Sequence, residues 1–383
     1  MRILLSCLQS PRRHAIPAYD FWRGYFVGGL REAGHEISEV PDVDWAEGLT
    51  HPPGAKRDDW KARTWDKVLA FVRRETPHLF LGYLFPQQID PAAIEELQRV
   101  GIPCVNFFCD NVREFRRIPP EFQPFALHWV PEFEALPMYT AARLDHIHAP
   151  MPCWIAPHLR NIPREERDPP IFVGSADRLR RDLLGRALRE GADFIVRGAG
   201  WQQEADHFAM PKQAVVARIA SLLSRARAQG PGILVRLVER QFRPMRPAPL
   251  RDGKIGEPPN ADEYVRVLRE AMVTIGVNRV PTARASDRRP LVYSRLRDIE
   301  APMLGACHLT EWTAGLEHLY DLGDEIETYR TAEELAAKLG ELRQDPERRR
   351  RLRERGQRRA LAQHTVPRSI AVIGKRLGVM ATA

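Results

Sequence analysis

The amino-acid sequence predicts an α/β fold of two Rossmann-like, doubly wound domains. Three observations predict it. From the first residues to about residue 150, short apolar runs rich in β-formers alternate with stretches of helical spacing. Glycine closes several of the helical stretches, at Gly34, Gly101 and Gly191, and a strand follows each time. The alternation breaks once, over residues 149–169 (APMPCWIAPHLRNIPREERDP), where prolines punctuate and periodicity is lost, and then it restarts. The domains expected are 1–150, a linker 151–169, a second domain 170–365, and a terminal helix within 366–383.

Residues 2–7 (RILLSC) read as the first strand, 19–33 as a helix and 35–40 (HEISEV) as the second strand. That order is one right-handed crossover of a parallel sheet. The long polar loop LQSPRRHAIPAYD lies after the first strand, at the sheet edge where open α/β folds hold ligands. Asp42-Val43-Asp44 has the form of a metal-holding acidic pair. It follows Pro41 and has no further ligand cluster, so it reads as a solvated turn. Helices are expected at 60–74, 91–100 and 132–143, and strands at 78–84, 103–108, 127–130 and 146–148. Cys109-Asp110-Asn111 stands at the C-terminal end of the strand 103–108.

The second domain opens on a strand at 170–173, then Gly174-Ser175, a helix at 177–189 and a strand at 193–196. Gly198-Ala199-Gly200-Trp201 closes that strand. This GxG lacks the third glycine and the helix start of a dinucleotide fingerprint. Over 202–259 the pattern is poor: a helix at 212–227, strand or helix at 233–238, and a Pro-rich basic exposed loop at 242–259. A helix at 261–271 leads to a buried strand at 272–277 ending in Asn278-Arg279, and a polar loop covers 280–289. A strand at 326–329 and helices at 332–343, 346–362 and 368–377 complete the chain.

The composition, 44% apolar and 28% charged over 383 residues, is that of a soluble globular protein. The five cysteines, Cys7, Cys104, Cys109, Cys153 and Cys307, form no CxxC pair. Neither a disulfide framework nor a zinc site is indicated, and a cytoplasmic location is expected. The opening MRILLSCL is too short for a signal peptide, and no apolar run approaches the roughly 20 residues of a membrane span. The net charge of +8 is concentrated. Residues 343–359 hold nine arginines against Asp345, Glu347 and Glu354, a net of +6, which leaves +2 for the rest. That helix reads as a solvated face, with an anionic membrane surface as the alternative partner. The distribution argues against nucleic acid, although the basic loop 240–254 keeps it as a minor reading.

The stretch YSRLRDIEAPMLGACHLT (293–310) organises the second domain. It reads as a tight basic loop, a short helix from Arg297, a turn at Gly305 and a buried strand at 306–309. A helix start flanked by Arg295 and Arg297 suits a phosphate. Glu300, one turn in, cannot bind phosphate but can accept hydrogen bonds from a ribose diol. Phosphate plus ribose points to a nucleotide. The plain alternative is an ordinary capped crossover with surface arginines.

At this point the residues carry a family resemblance. IFVGSADRLRRDLL, VRGAGW, ADEYVRVLREAMVTIGVNR, RLRDIEAPMLGACHLTE and LGDEIETYRTAEELAAKLGELRQDPERRRRLRERGQRRALAQHT, in that order, resemble the CgeB-like glycosyltransferases of GT-B fold. The match covers roughly residues 170–370. The resemblance implies two domains facing across a cleft, a nucleotide-sugar donor on the second, and a final helix that crosses back to the first. It implies that Glu300 accepts the ribose hydroxyls and that Arg295 and Arg297 hold the diphosphate. Gly174 and Ser175 would line the cleft, and Arg178, Trp201, Asn278 and Arg279 would lie near the donor. Gly305 would close the helix. Many members have a second Glu about eight residues before the ribose Glu; here position 292 is Val.

The expected activity is metal-independent transfer of a sugar from a nucleoside diphosphate, a UDP-sugar first, to an unidentified acceptor hydroxyl on a glycan, protein or small molecule. Arginines stabilise the leaving diphosphate without a metal. An inverting enzyme needs a general base, while a retaining one can do without it. His14, Asp20 and Asp110 stand at strand ends of the first domain and are the candidates, Asp110 first. Their plain readings are a loop histidine, a helix N-cap and an Asx turn. The rival functions are a nucleotide-sugar epimerase of the same fold, a non-catalytic sugar-binding or surface structural protein, and a DNA-base glycosyltransferase.

Overall fold

The computed structural model describes residues 1–10, 18–202, 250, 254–282, 285 and 289–379. His14, residues 212–227 and 233–238, and most of the loop 242–259 lie outside the described residues. The chain divides into two compact units. The first comprises Met1–Val112, Arg117–Ala156 and Ala362–Ala383; the second comprises Arg113–Arg116 and Pro157–Leu361.

In the first unit the described strands form one parallel sheet of six. They are β1 (Arg2–Cys7), β2 (Glu36–Ser38), β3 (Leu79–Tyr83), β4 (Cys104–Phe107), β5 (Leu127–Val130) and β6 (His146–His148), in spatial order β2-β1-β3-β4-β5-β6. Every residue of β3, β4 and β5 is buried, which is why these strands read as unbroken apolar runs rather than alternating ones. Phe26 of the helix Ala18–Glu32 packs edge-on against Phe107 and Trp129, with centroids 5.6 and 5.9 Å apart, and Trp22 lies tilted on Phe107 at 5.5 Å. The same helix carries Gly28 and Gly29. A Cβ on Gly29 would meet Cβ of Val366 at 2.4 Å, and one on Gly28 would meet the Trp154 ring at 2.4 Å. The missing side chains thus let Trp154 and the final helix, Val366–Leu377, seat directly on its backbone. Arg376 on that helix grips Asp145 with two hydrogen bonds.

The second unit holds another parallel sheet of six among the described residues. Its strands are β7 (Ile171–Val173), β8 (Ile195–Arg197), β9 (Ile255–Gly256), β10 (Thr274–Gly276), β13 (His308–Glu311) and β14 (Glu327–Tyr329), in order β14-β13-β10-β7-β8-β9. β11 (Arg279–Val280) and β12 (Leu291–Val292) form a separate antiparallel pair. The sheet core is Phe172, Val196, Ile275 and Leu309 with the helix residues Leu184, Leu188, Leu335 and Leu339. Gly198 sits at φ 143°, and a Cβ there would come within 2.2 Å of the Gly174 carbonyl oxygen. Only glycine allows the two strand-end loops this approach.

Several readings are corrected. The loop expected at 242–259 contains β9, whose two residues are too few to show a period. Residue 280, expected in a loop, ends β11 and pairs with Leu291 of β12. The strand expected at 306–309 begins at His308, because the Ala306 N–H closes the preceding helix onto Ala301. The helix expected at 132–143 is a 3₁₀ turn Phe133–Ala135 followed by the helix Leu136–Ala142. Glu132 before it is fully buried.

The arginine-rich helix Pro346–Gln363 is only in part the solvated face expected: Arg350, Arg351, Arg355 and Arg358 are exposed, but Arg349 and Arg353 are buried. Arg353, 4% exposed, donates to the carbonyls of Arg269, Ala271, Met272 and Gly305. Arg349 is buried on Glu166 and the carbonyls of Leu342 and Arg343. Of the nine arginines over 343–359, seven are in ion pairs: 343, 348, 349, 350, 353, 355 and 359. Most of the +6 is therefore answered inside the unit. No described helix is long and apolar enough to cross a membrane.

Candidate functional site

The strand order of the second unit locates a site before any side chain is considered. In sequence the strands run outward from β7 through β8 to β9, then return to β10 on the other side of β7 and continue through β13 to β14. The connections after β7 and β10 therefore diverge. In doubly wound sheets a crevice opens at the carboxyl ends of the two strands where the order reverses. β7 leads into Gly174-Ser175, and β10 leads into Val277, Asn278 and Arg279. Topology thus brings Gly174, Ser175, Asn278 and Arg279 to one edge.

Asp298 ties this edge together. Its side chain is fully buried in the first turn of the helix Arg297–Met303. Oδ2 accepts from Asn278 Nδ2 at 2.9 Å, Ser294 Oγ at 3.0 Å and the Arg295 N–H at 3.2 Å. Oδ1 accepts from Thr310 Oγ1 at 2.6 Å and lies 3.1 Å from His308 Nε2. Burial alone would raise this carboxyl. The bonds from His308, Thr310 and Arg295 outweigh it and hold Asp298 below the usual carboxylate range. Glu311, at the end of β13, completes the edge. Its Oε2 accepts the N–H groups of Asn278 and Arg279, and its Oε1 accepts from Arg279 Nε at 2.9 Å and Nη2 at 2.5 Å. Burial would lower the Arg279 pKa, but the Glu311 charge raises it on balance. Asn278 and Arg279 are therefore brought to the crevice, with their side chains fixed on Asp298 and Glu311.

Three further arginines crowd the same place. Arg297 Nη2 donates to the Val173 carbonyl at the end of β7, at 3.3 Å. Arg180 Nη1 donates to the Ser175 carbonyl at 2.9 Å, and its Nε lies 3.3 Å from Asp177. Arg295 stacks on Tyr293 at 5.3 Å. The Arg180 guanidinium has its pKa lowered by burial and by the charges of Arg295 and Arg297, against Asp177. Three cations this close repel one another, and an oxyanion between them relieves that repulsion. Sequence reading had singled out Arg178, the first residue of the helix Arg178–Arg189. Arg180 is the member that senses the other two, and nothing in the local pattern distinguished it.

Glu300 is 3% exposed. Its Oε2 accepts from Tyr264 Oη at 2.5 Å and lies 3.6 Å from Arg297 Nε. The Arg297 guanidinium stands 4.9 Å over the Tyr264 ring. Trp201 is buried, and its Nε1 donates to the Gly174 carbonyl at 2.7 Å, so it supports the β7 loop from behind. Gly305, at φ 77°, closes the helix through its N–H to Pro302. Asp298, Arg180, Tyr264 and Glu311 were missed by sequence reasoning. Asp298 had one available signal: a carboxylate between Arg297 and Glu300 in a stretch otherwise apolar.

The first unit places Asp110 between β4 and the short helix Asn111–Glu114. The backbone of Asp20 lies inside the helix Ala18–Glu32, past its N-cap position, and its side chain lies outside the described residues. Beside Asp110 is a carboxylate that sequence reading missed. Glu132, after β5, accepts the N–H groups of Asn111 at 2.8 Å and Val112 at 3.4 Å, both on Oε2. Tyr139 Oη donates to Asn111 Oδ1 at 2.8 Å. Burial, and then the Asp110 carboxylate, push the Glu132 carboxyl up to about 8, against the hydrogen bonds from Asn111 and Val112. Asp44 of the acidic pair is occupied differently: its carboxylate accepts from Ser10 Oγ and the Glu47 N–H. Among the described residues no group of three or more His, Cys, Asp or Glu side chains is arranged to hold a metal.

A sequence model described as glycosyl transferase-like matches residues 178–373, just over half of the chain. The chain belongs to the glycosyl transferase-like family. Among solved structures it is similar to sucrose-phosphate synthase from Thermosynechococcus elongatus, at 13% identity with 99% of each chain covered and a TM-score of 0.58. It is similar to a glycosyltransferase from Rickettsia africae ESF-5, at 13% identity with 98% of each chain covered and a TM-score of 0.56. It is also similar to HepE of Anabaena in complex with UDP and glucose, at 10% identity, with 99% of this chain and 100% of that chain covered and a TM-score of 0.55. These likenesses establish the fold as GT-B. No curated protein sequence matches the chain. The matched family segment contains Arg180, Tyr264, Asn278, Arg295, Arg297, Asp298 and Glu300, while Gly174 and Ser175 precede it.

Proposed function

We propose that this glycosyl transferase-like protein moves a sugar from a nucleoside-diphosphate sugar, a UDP-sugar first, to an acceptor hydroxyl. The observation that carries the reading is the meeting of Arg180, Arg295 and Arg297 with the buried carboxylate of Glu300 at the reversal point of the second sheet. In this reading the arginines hold the diphosphate and stabilise it as it leaves, and the ribose hydroxyls donate to Glu300. Gly174 and Ser175 offer the backbone at the end of β7, and Arg178 follows three residues after Ser175 as the first residue of the next helix. Fixed guanidinium groups supply the positive charge a departing diphosphate needs, so the transfer is metal-independent in this proposal. HepE of Anabaena was solved with UDP-glucose, a ligand of the proposed class. The CgeB-like resemblance of residues 170–370 supports the same assignment. Asp110 is the general base for the acceptor if configuration is inverted.

Calorimetric titration with a panel of UDP-, GDP- and dTDP-sugars, run in EDTA, tests the proposal. Glu300→Ala and Arg297→Ala are expected to abolish donor binding while the protein stays folded. Asp110→Asn is expected to keep donor affinity and to lower turnover by about 10²–10⁴-fold. Unchanged affinity in both donor-site variants would sink the assignment.

A further inference from the structure

Resting on the reading above, we infer that Tyr264 is a positioning residue that sets the Glu300 carboxylate for a ribose 2′,3′-diol, making the site selective for ribonucleoside over 2′-deoxyribonucleoside diphosphates. Tyr264 lies on the helix Ala261–Glu270, whose start is fixed by Asn260 accepting from the Glu263 N–H at 2.9 Å. It reaches across to a residue 36 positions later in the chain and donates to Oε2 at 2.5 Å. That distance is in the short range of hydrogen bonds to an ionised acceptor. Arg297 approaches the same oxygen at 3.6 Å and covers the tyrosine ring at 4.9 Å. Tyrosine, arginine and glutamate therefore brace one another.

The consequence is chemical. A carboxylate rotates about its last bond unless something holds it. The Tyr264 hydrogen bond and the Arg297 ion pair, both at Oε2, hold this one. A vicinal diol donates twice to a carboxylate so held, and a 2′-deoxyribose donates once. A buried charged acceptor that loses one donor discriminates strongly against the analogue lacking it.

The test is binding of the ribonucleotides UDP and GDP, and of the 2′-deoxy forms 2′-deoxy-UDP, 2′-deoxy-GDP and dTDP, to the full chain and to Tyr264→Phe, with thermal melting as the folding control. The substitution keeps the ring under Arg297 and removes only the hydroxyl. The wild type is expected to bind its preferred ribonucleotide about tenfold or more tighter than the 2′-deoxy form. Tyr264→Phe is expected to lose most of that ratio by weakening the ribonucleotide while the 2′-deoxy form changes little. In a Glu300→Gln background the tyrosine substitution is expected to have no further effect on the ratio. Equal weakening of both forms would assign Tyr264 to packing alone and overturn the inference. A wild type that binds both forms equally, or a variant with an unchanged ratio, would overturn it as well. A wild type that binds none of the five would overturn the nucleotide site itself, and the inference with it.

Discussion

Two buried carboxylates, one in each unit, are moved in opposite directions by the same degree of burial. Asp298 and Glu132 are both 0% exposed. Asp298 meets four hydrogen-bond donors and His308, spread over both of its oxygens, and is held below the usual range. Glu132 has two backbone donors, both on Oε2, while Oε1 has no hydrogen-bond partner among the described groups, and Asp110 adds a second negative charge. Burial does not decide the state of a carboxyl; the donors around it do. The second unit thus has a fixed negative charge that clamps Asn278 and the Ser294–Arg295 loop. The first unit has an acid that holds its proton at neutral pH beside the Asp110 loop.

Removing Asp298 is the strongest way to break this contrast. Asp298→Ala removes the acceptor of the buried Ser294 and Thr310 hydroxyls and the partner of His308 Nε2, and one of the acceptors of Asn278 Nδ2. A loss of about 3–5 kcal/mol in the stability of the second unit is expected, together with loss of nucleotide binding. Denaturant unfolding followed by near-ultraviolet circular dichroism measures it. A loss below about 1 kcal/mol would show that the clamp has little energetic weight.

The first-unit carboxylate sharpens the contrast through pH. The folded-state pKa of Glu132 is raised above the ordinary glutamate value, to about 8. Such a group contributes stability that is fully present below the unfolded pKa and is lost as pH rises through the folded one. Between about pH 6 and pH 8 the wild type is expected to lose about 2–3 kcal/mol through this group, at roughly 1.4 kcal/mol per pH unit. Glu132→Gln is expected to flatten that slope. Thermal melts of wild type and variant across this range check it, and parallel slopes would place the Glu132 proton elsewhere. The Asp298 contribution has the opposite sign and is lost only as pH falls through its depressed pKa.

What could be read from the sequence differs between the same two kinds of feature. Strands such as Leu79–Tyr83 and Leu127–Val130 were legible because burial on both faces leaves an apolar run. The strand order that makes the crevice was not legible, since it depends on where each crossover returns. β9 was lost because two residues carry no period. The buried side of the arginine helix was missed because its partners are far along the chain: Arg349 lies 183 residues from Glu166. In the site itself, Arg297 and Glu300 could be found from one local stretch, whereas Tyr264 acts over 36 residues and left no local trace. Glu132 was hidden for a related reason, its environment being made by the end of the neighbouring strand β4.

A crystal of the protein soaked with UDP tests the central claim most directly. The account predicts diphosphate oxygens within about 3 Å of guanidinium nitrogens from the Arg180, Arg295 and Arg297 cluster, and ribose hydroxyls on Glu300. A nucleotide bound away from the carboxyl ends of β7 and β10, with no ribose hydroxyl on Glu300, would contradict it.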